Sequence, residues 1–319
     1  MAKAKPFIKW VGGKGQLIGQ LEALLPADFA EREDVTYIEP FVGGGAMLFY
    51  MLRTYPNIKS AVINDINPDL TSCYQAVRDN PDGLIKSLEA IQSVYYALPT
   101  EEERKAFFLR QRDRFNAGSL SLIDNCTLFF FLNRTCFNGL YRVNKAGKFN
   151  VPFGKYASPK ICDAATIYAD SEILRKVEIM TGDFEQTFMK IQRPAFFYFD
   201  PPYRPLSDTS SFNDYSKEDF NDDAQVRLKL FCDRVNDAGA DFMLSNSDCK
   251  GKNEADNFFD VLYGAYRIER VWASRSINSN PGRRGKLTEI LIRNYEATKA
   301  ESRSGNPQAK PLFAESMSA

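Results

Sequence analysis

The sequence predicts an α/β protein: a seven-stranded, mainly parallel sheet carrying an inserted, mostly helical segment. Seven short β-branched or aromatic runs, at 35–38, 61–64, 177–180, 196–199, 241–244, 268–272 and 287–292, supply the strands. Stretches with helical periodicity at 16–25, 46–52, 69–77 and 222–236 lie between them. Strands separated by helices are joined by crossovers, which leave neighbouring strands parallel. The alternation breaks between about residues 79 and 163. There an Asn-Pro step introduces helical patterns at 83–96, 101–116 and 120–132, followed by a Gly- and Asn-rich basic stretch with neither period. The expected organisation is a core of 1–78 with 163–295, an insert of 79–162, and a tail at 296–319. The tail's EATKAES and SGNPQAKP lack the apolar surface to fold alone.

Composition narrows the chemistry. A chain of 319 residues, 44% hydrophobic and 26% charged, can bury a sizeable core. Its longest apolar run, 46–52, has seven residues, far below the ~20 of a membrane helix. The opening MAKAKPFIKW has lysines but no apolar stretch behind them, so no secretory signal is expected and the protein reads as cytoplasmic. Histidine is absent, which excludes Ser-His-Asp and Cys-His catalysis and His-ligated zinc hydrolysis. Cys73, Cys126, Cys136, Cys162, Cys232 and Cys249 contain no C-x-x-C pair, so reduced core thiols are expected. Carboxylates, Lys, Tyr, Asn, backbone groups or a cofactor must do any chemistry.

Charge is balanced, 41 basic against 41 acidic residues, but unevenly spread. From Arg134 to Lys160 there are six basic residues and no acidic one; from Arg267 to Lys286 there are six against Glu269 alone. Residues 208–223 hold six acids against Lys217. Such runs are commonly solvated faces, yet two local excesses in a neutral chain also suit an anionic partner such as nucleic acid.

The strand at 35–38 runs through Glu39-Pro40 into FVGGGAMLF, 41–49. A strand, a glycine turn and a helix bring backbone close to a nucleotide-like ligand, where a Cβ would obstruct. Alone this is compatible with an ordinary tight turn. Twenty residues beyond Gly45 the next strand ends at Asp65, placed for ribose hydroxyls. The pattern is neither G-x-G-x-x-G nor a P-loop, so an adenosine cofactor without phosphates fits better. A second glycine loop, WVGGK at 10–14, offers an aromatic wall and a cation.

After AFFYF comes DPPY, Asp200 to Tyr203. Neither proline has an N–H for a ladder bond, so the strand must stop and leave carbonyls available as acceptors. Asp200 and the Pro201 carbonyl can then both accept from one exocyclic amine, while Tyr203 offers a face for a base to stack on. The alternative is a strand-ending turn with a capping Asp.

Here the sequence resembles the Dam-type DNA adenine-N6 methyltransferases. The resemblance runs from Phe7 to about Tyr295 and rests on FIKWVGGK, FVGGGA, NDIN, NRTCFNGLYRVN, KFNVPFGKY, GDF, DPPYRPLS and RSINSN. The order glycine motif, recognition insert, then DPPY is that of the family's α group. The resemblance implies a Rossmann-like S-adenosylmethionine-dependent methyltransferase fold and methyl transfer to N6 of a flipped adenine in double-stranded DNA, usually within GATC. Position by position it implies S-adenosylmethionine contacts from Trp10, Lys14, Phe41, Gly43, Gly45, Asp65, Asp183, Phe184 and Asp200. It places catalysis on Asp200, Pro201, Pro202 and Tyr203, without a metal. DNA contacts fall on Lys9, Arg134, Phe137, Asn138, Leu140, Arg142 and Pro152, with Phe137 where the family often has a tyrosine wedge. A bacterial or phage origin and no obligate protein partner are also expected. An RNA- or protein-directed amino methyltransferase and a non-catalytic DNA-binding relative are the rivals. The sequence leaves open whether the enzyme acts alone or beside a restriction endonuclease.

Overall fold

A computed structural model of the chain describes residues 2–204, 220–273 and 287–297. RSINSN, the residues that follow Arg204 in DPPYRPLS, and all but the first two residues of the tail lie outside them. Seven strands form one sheet: β1 (Val35–Glu39), β2 (Ile58–Asp65), β3 (Val177–Thr181), β4 (Ala195–Phe199), β5 (Asp241–Ser247), β6 (Arg267–Ala273) and β7 (Leu287–Arg293). Their order is β3-β2-β1-β4-β5-β7-β6. All neighbours are parallel except that β7 runs antiparallel to both β5 and β6. Each predicted strand is present. β2 begins three residues before its predicted start because its first turn carries the exposed Lys59, which breaks the apolar run.

From β1 the chain steps outward through β2 and β3, then returns to place β4 on the other side of β1. The strand order therefore reverses between β1 and β4, and the carboxyl ends at such a switch point are where ligands bind in these sheets. Both strands are buried throughout, as central parallel strands must be.

On one face of the sheet Tyr37, Ile63, Phe196 and Tyr198 pack with α1 (Ile18–Ala23), α2 (Ala46–Thr54) and α3 (Pro68–Asp79). On the other, Ile38, Phe197 and Phe199 pack with Leu228, Phe231 and Val235 of a helix at Asp222–Asp237. The insert supplies α4 (Pro81–Tyr96), α5 (Glu101–Ala117) and α6 (Leu122–Thr135). Their starts are written locally. Asn67 and Asn80 each precede a proline and accept amide protons of the first turn, Thr100 and Glu103 form a capping box, and Ser121 caps α6. Leu84, Phe108 and the run Phe129–Phe131 of the insert belong to the same apolar cluster as the first sheet face. Insert and sheet thus share one core.

A helix that sequence reading did not find, α7 (Ala164–Leu174), also packs on this face. Its inward side buries Ile167 and Leu174 but also Thr166, Asp170 and Ser171, and these polar residues interrupt the apolar stripe that sequence reading looks for. Three further helices, α8 (the Asp222–Asp237 helix), α9 (Cys249–Lys252) and α10 (Phe258–Leu262), complete the α-helices among the described residues. All six cysteines are free and buried, as expected for reduced core thiols. Among the described residues no helix is long and apolar enough to cross a membrane.

Candidate active site

The glycine loop follows β1 and Asp-Pro-Pro-Tyr follows β4, so both predicted motifs meet at the switch point. Gly43 and Gly45 have φ of +48° and +72°, which L side chains rarely adopt. The space around them is filled by protein. A Cβ on Gly43 would stand 2.8 Å from Trp10 Cδ1, and one on Gly45 would stand 2.4 Å from the Tyr74 hydroxyl. That hydroxyl donates to the Gly43 carbonyl at 3.0 Å, and the Gly43 N–H donates to Asp65 Oδ2 at 3.1 Å. Asp65 Oδ1 accepts from the Asn67 N–H at 3.0 Å. Asp65 therefore braces the loop as well as ending β2. Burial raises its pKa above the ordinary carboxylate value. Ile66 follows it with 74% of its surface exposed, an apolar side chain that sequence reading passed over. Buried Asn64 joins the loops after β1 and β3 by donating to the carbonyls of Pro40 and Gly182 at 3.0 and 2.9 Å.

Two expected cofactor contacts are already engaged. Phe184 is a packed residue rather than an open wall: Phe41 lies 5.2 Å away, Phe231 5.4 Å, and the Arg227 guanidinium covers its ring at 4.6 Å. Asp183 accepts from Arg227 and from the Glu185 N–H. Its remaining lone pairs are what an adenine amine could use.

Lys14 lies beside Asp200, another of the expected cofactor contacts. It is 5% exposed, and its Nζ lies 2.7 Å from Asp200 Oδ1 and 4.5 Å from the centre of the Tyr203 ring. It thus belongs to the Asp-Pro-Pro-Tyr cluster. Burial pushes the Asp200 pKa up, and Lys14 opposes that rise. The Tyr203 hydroxyl donates to Glu289 Oε2 at 2.6 Å, and the Tyr37 hydroxyl donates to Glu39 Oε2 at 2.8 Å. Burial also holds the Glu39 carboxyl well above the usual range. The Pro202 carbonyl is taken by Gln225 Nε2 at 3.1 Å, and Gln225 accepts from buried Asn246. Asn246 Oδ1 in turn receives the Arg204 N–H, and Ser247 donates to the Arg204 carbonyl. Sequence reading missed Gln225, Asn246, Ser247 and Glu289; the signal for Asn246 and Ser247 was polarity inside an otherwise apolar strand, DFMLSNS, and for Glu289 a lone acid inside LTEILIR.

The insert brings a second set together. Phe137 is 51% exposed, on a turn in which Asn138 has φ +55°. Its N–H donates to the Pro152 carbonyl at 2.8 Å, and Lys9 lies across Gly139 of the same turn. Asn138, Arg142 and Pro152 are exposed and Leu140 is half-buried. Arg134 does not join them. Its side chain turns inward to donate to the Phe7 carbonyl at 2.6 Å, and burial lowers its pKa. The backbone of 4–9 is held in this way throughout, by Arg53 to Ala4, Asp170 to Lys5, and Asn133 to both N–H and carbonyl of Lys9. The two sets meet at Trp10, which packs against Gly43 and stacks on Tyr141 at 5.6 Å.

The strand order with its switch point and glycine loop is that of a Rossmann-like fold, and the family match that follows makes it an S-adenosylmethionine-dependent methyltransferase. Residues 10–277 match the D12 class N6 adenine-specific DNA methyltransferases, and the chain belongs to that family. It is 45% identical to the type II methyltransferase M.MjaIII of Methanocaldococcus jannaschii, over 92% of this chain and 100% of that protein. It is 38% identical to type II methyltransferase M1.LlaDCHI of Lactococcus lactis subsp. cremoris, over 91% and 95%. Identity to the DNA adenine methylase of Escherichia coli K12 is 30%, over 91% and 95%. The protein is therefore an adenine-specific DNA methyltransferase that uses S-adenosylmethionine and acts on DNA.

Proposed function

We propose that the enzyme methylates N6 of an adenine flipped out of duplex DNA, within GATC, with the insert 79–162 as its recognition part. The observation that supports the catalytic roles is the cluster of Asp200, Lys14 and Tyr203 beside the glycine loop. S-adenosylmethionine supplies an electrophilic methyl group when bound. Trp10, Phe41, Gly43, Gly45, Asp65, Ile66, Asp183 and the packed Phe184 would form its site. The fit rests on the acceptor capacity left on Asp65 and Asp183.

The adenine amine is a poor nucleophile because its lone pair is delocalised into the ring. Asp200 and the Pro201 carbonyl accept its two N–H groups and so favour a pyramidal nitrogen. The carboxylate then stabilises the positive charge that develops at N6. Lys14 keeps Asp200 ionised in its buried setting until the amine arrives. Pro202, whose carbonyl is anchored by Gln225, fixes the turn, and Tyr203 stacks on the base. Flipping costs a few kcal/mol, and Phe137 fills the gap as an apolar wedge. Lys9, Asn138, Leu140, Arg142 and Pro152 contact DNA, Arg142 reading a guanine.

Radiolabelled methyl transfer to a GATC duplex and to each single-base variant tests this reading, with the product analysed as N6-methyladenine. Methylation of cytosine, of RNA or of protein would overturn it, and a preferred duplex other than GATC would replace the site. Higher identity to two type II methyltransferases than to the DNA adenine methylase favours a modification role beside a restriction endonuclease.

A further inference from the structure

Arg142 is exposed, and a long side chain on a surface ordinarily samples many rotamers. Here it is held. Its Nε–H donates to Asn150 Oδ1 at 2.8 Å, and an Nη2–H donates to the Asn150 carbonyl at 3.3 Å. The two residues face each other on a short hairpin, with the Asn150 N–H donating to the Arg142 carbonyl at 3.1 Å and Val143 bridging Phe149 beyond. Asn144 closes the hairpin by accepting from the N–H groups of Ala146 and Lys148. The hairpin is itself mounted on the core. Phe149 is buried against Tyr141 and Phe115, and Asn116 of α5 both donates to its carbonyl and accepts from its N–H, at 3.0 and 2.8 Å.

A guanidinium has five N–H donors on three edges. Asn150 takes the edge formed by Nε and Nη2. The end-on pair, Nη1 with the second hydrogen of Nη2, has no partner among the described residues and is the edge that can give two parallel bonds to guanine O6 and N7. We propose that Asn150 is a specificity-determining positioning residue, which holds Arg142 by one edge so that its end-on edge reads the base. The inference rests on the reading of Arg142 as a guanine contact. Pre-ordering the side chain lowers the cost of the cognate contact and denies Arg142 the freedom to settle on other bases.

A double-mutant cycle on the full-length enzyme tests it. kcat/KM is measured at one salt concentration on the GATC duplex and its single-base variants for wild type, Asn150→Ala, Arg142→Ala, the double variant and Asn150→Asp. Asn150→Ala keeps the backbone bond of the hairpin and is expected to lower kcat/KM on GATC about two- to tenfold, with a smaller loss on the duplex altered at the guanine read. The double variant is expected to match Arg142→Ala, because Asn150 acts only through it. Asn150→Asp retains the acceptor and is expected to keep the wild-type preference while weakening all duplexes alike, through its added negative charge. Multiplying single effects in the double variant, alongside a selective Arg142→Ala, would overturn the role of Asn150 alone. A uniform loss across duplexes in Arg142→Ala would overturn the guanine reading and the proposal with it.

Discussion

The carboxyl end of β4 and the hairpin of the insert solve the same problem, fixing a polar side chain, by opposite means. At β4 the means is enclosure. Asp200 is held by a buried lysine, and Asn246, Ser247 and Gln225 tie down the backbone on either side of Tyr203. At the hairpin the side chains stay in solvent, and asparagines bonded to backbone groups hold them there. Enclosure strengthens electrostatics and shifts pKa values, which suits chemistry. Exposed but ordered donors suit a partner that arrives and leaves. Changes at the first end should therefore alter the rate of methyl transfer, and changes at the second should alter which DNA is chosen.

The largest effect expected is from Asp200→Ala, which removes an interaction that strengthens in the transition state. Single-turnover transfer should fall about 10²–10³-fold or more, with cofactor and DNA binding retained. A near wild-type rate would end the proposed role of this carboxylate. Gly45→Ala forces a Cβ into the Tyr74 hydroxyl at a φ of +72°. A loss of about 1–3 kcal/mol in denaturant unfolding is expected, together with weaker cofactor binding by calorimetry. Phe137→Ala should slow flipping roughly tenfold on a paired target and far less on a mismatched adenine, which is cheaper to unstack. Equal loss on both substrates would break the division between the two ends.

Two smaller effects are read from pH. Burial already raises the Asp200 pKa and Lys14 opposes it, so Lys14→Met should move the acidic limb of the single-turnover rate to higher pH. An unmoved limb would detach Lys14 from Asp200. Asp170, buried beneath the N-terminal segment, has its pKa pushed up to about 8 by desolvation. Between the ordinary carboxylate value and about 8 the folded chain keeps a proton that the unfolded chain has lost, so stability falls as pH rises through that window. Asp170→Asn should flatten this dependence of Tm on pH, and an unchanged slope would show that other groups cause it.

Some of this was decided by residues acting on their immediate neighbours. Prolines without N–H groups had to end β4, the caps Asn67, Asn80, Thr100 and Ser121 had to start helices, and a strand running into FVGGGA had to make a tight loop. Those effects depend on spacing along the chain, so the sequence alone determined the strands and both motifs. What depends on the order of strands in space was not written locally. Sequence order does not place β4 beside β1, and only that neighbourhood brings Lys14 to Asp200. Glu289 reaches Tyr203 from β7, the strand that enters the sheet antiparallel beside β5. Arg134 sits in a basic run yet turns inward, because the carbonyl of Phe7 passes beneath it. A charged side chain's partner is set by which segments pack against it, and long-range packing is the one thing a local pattern does not encode.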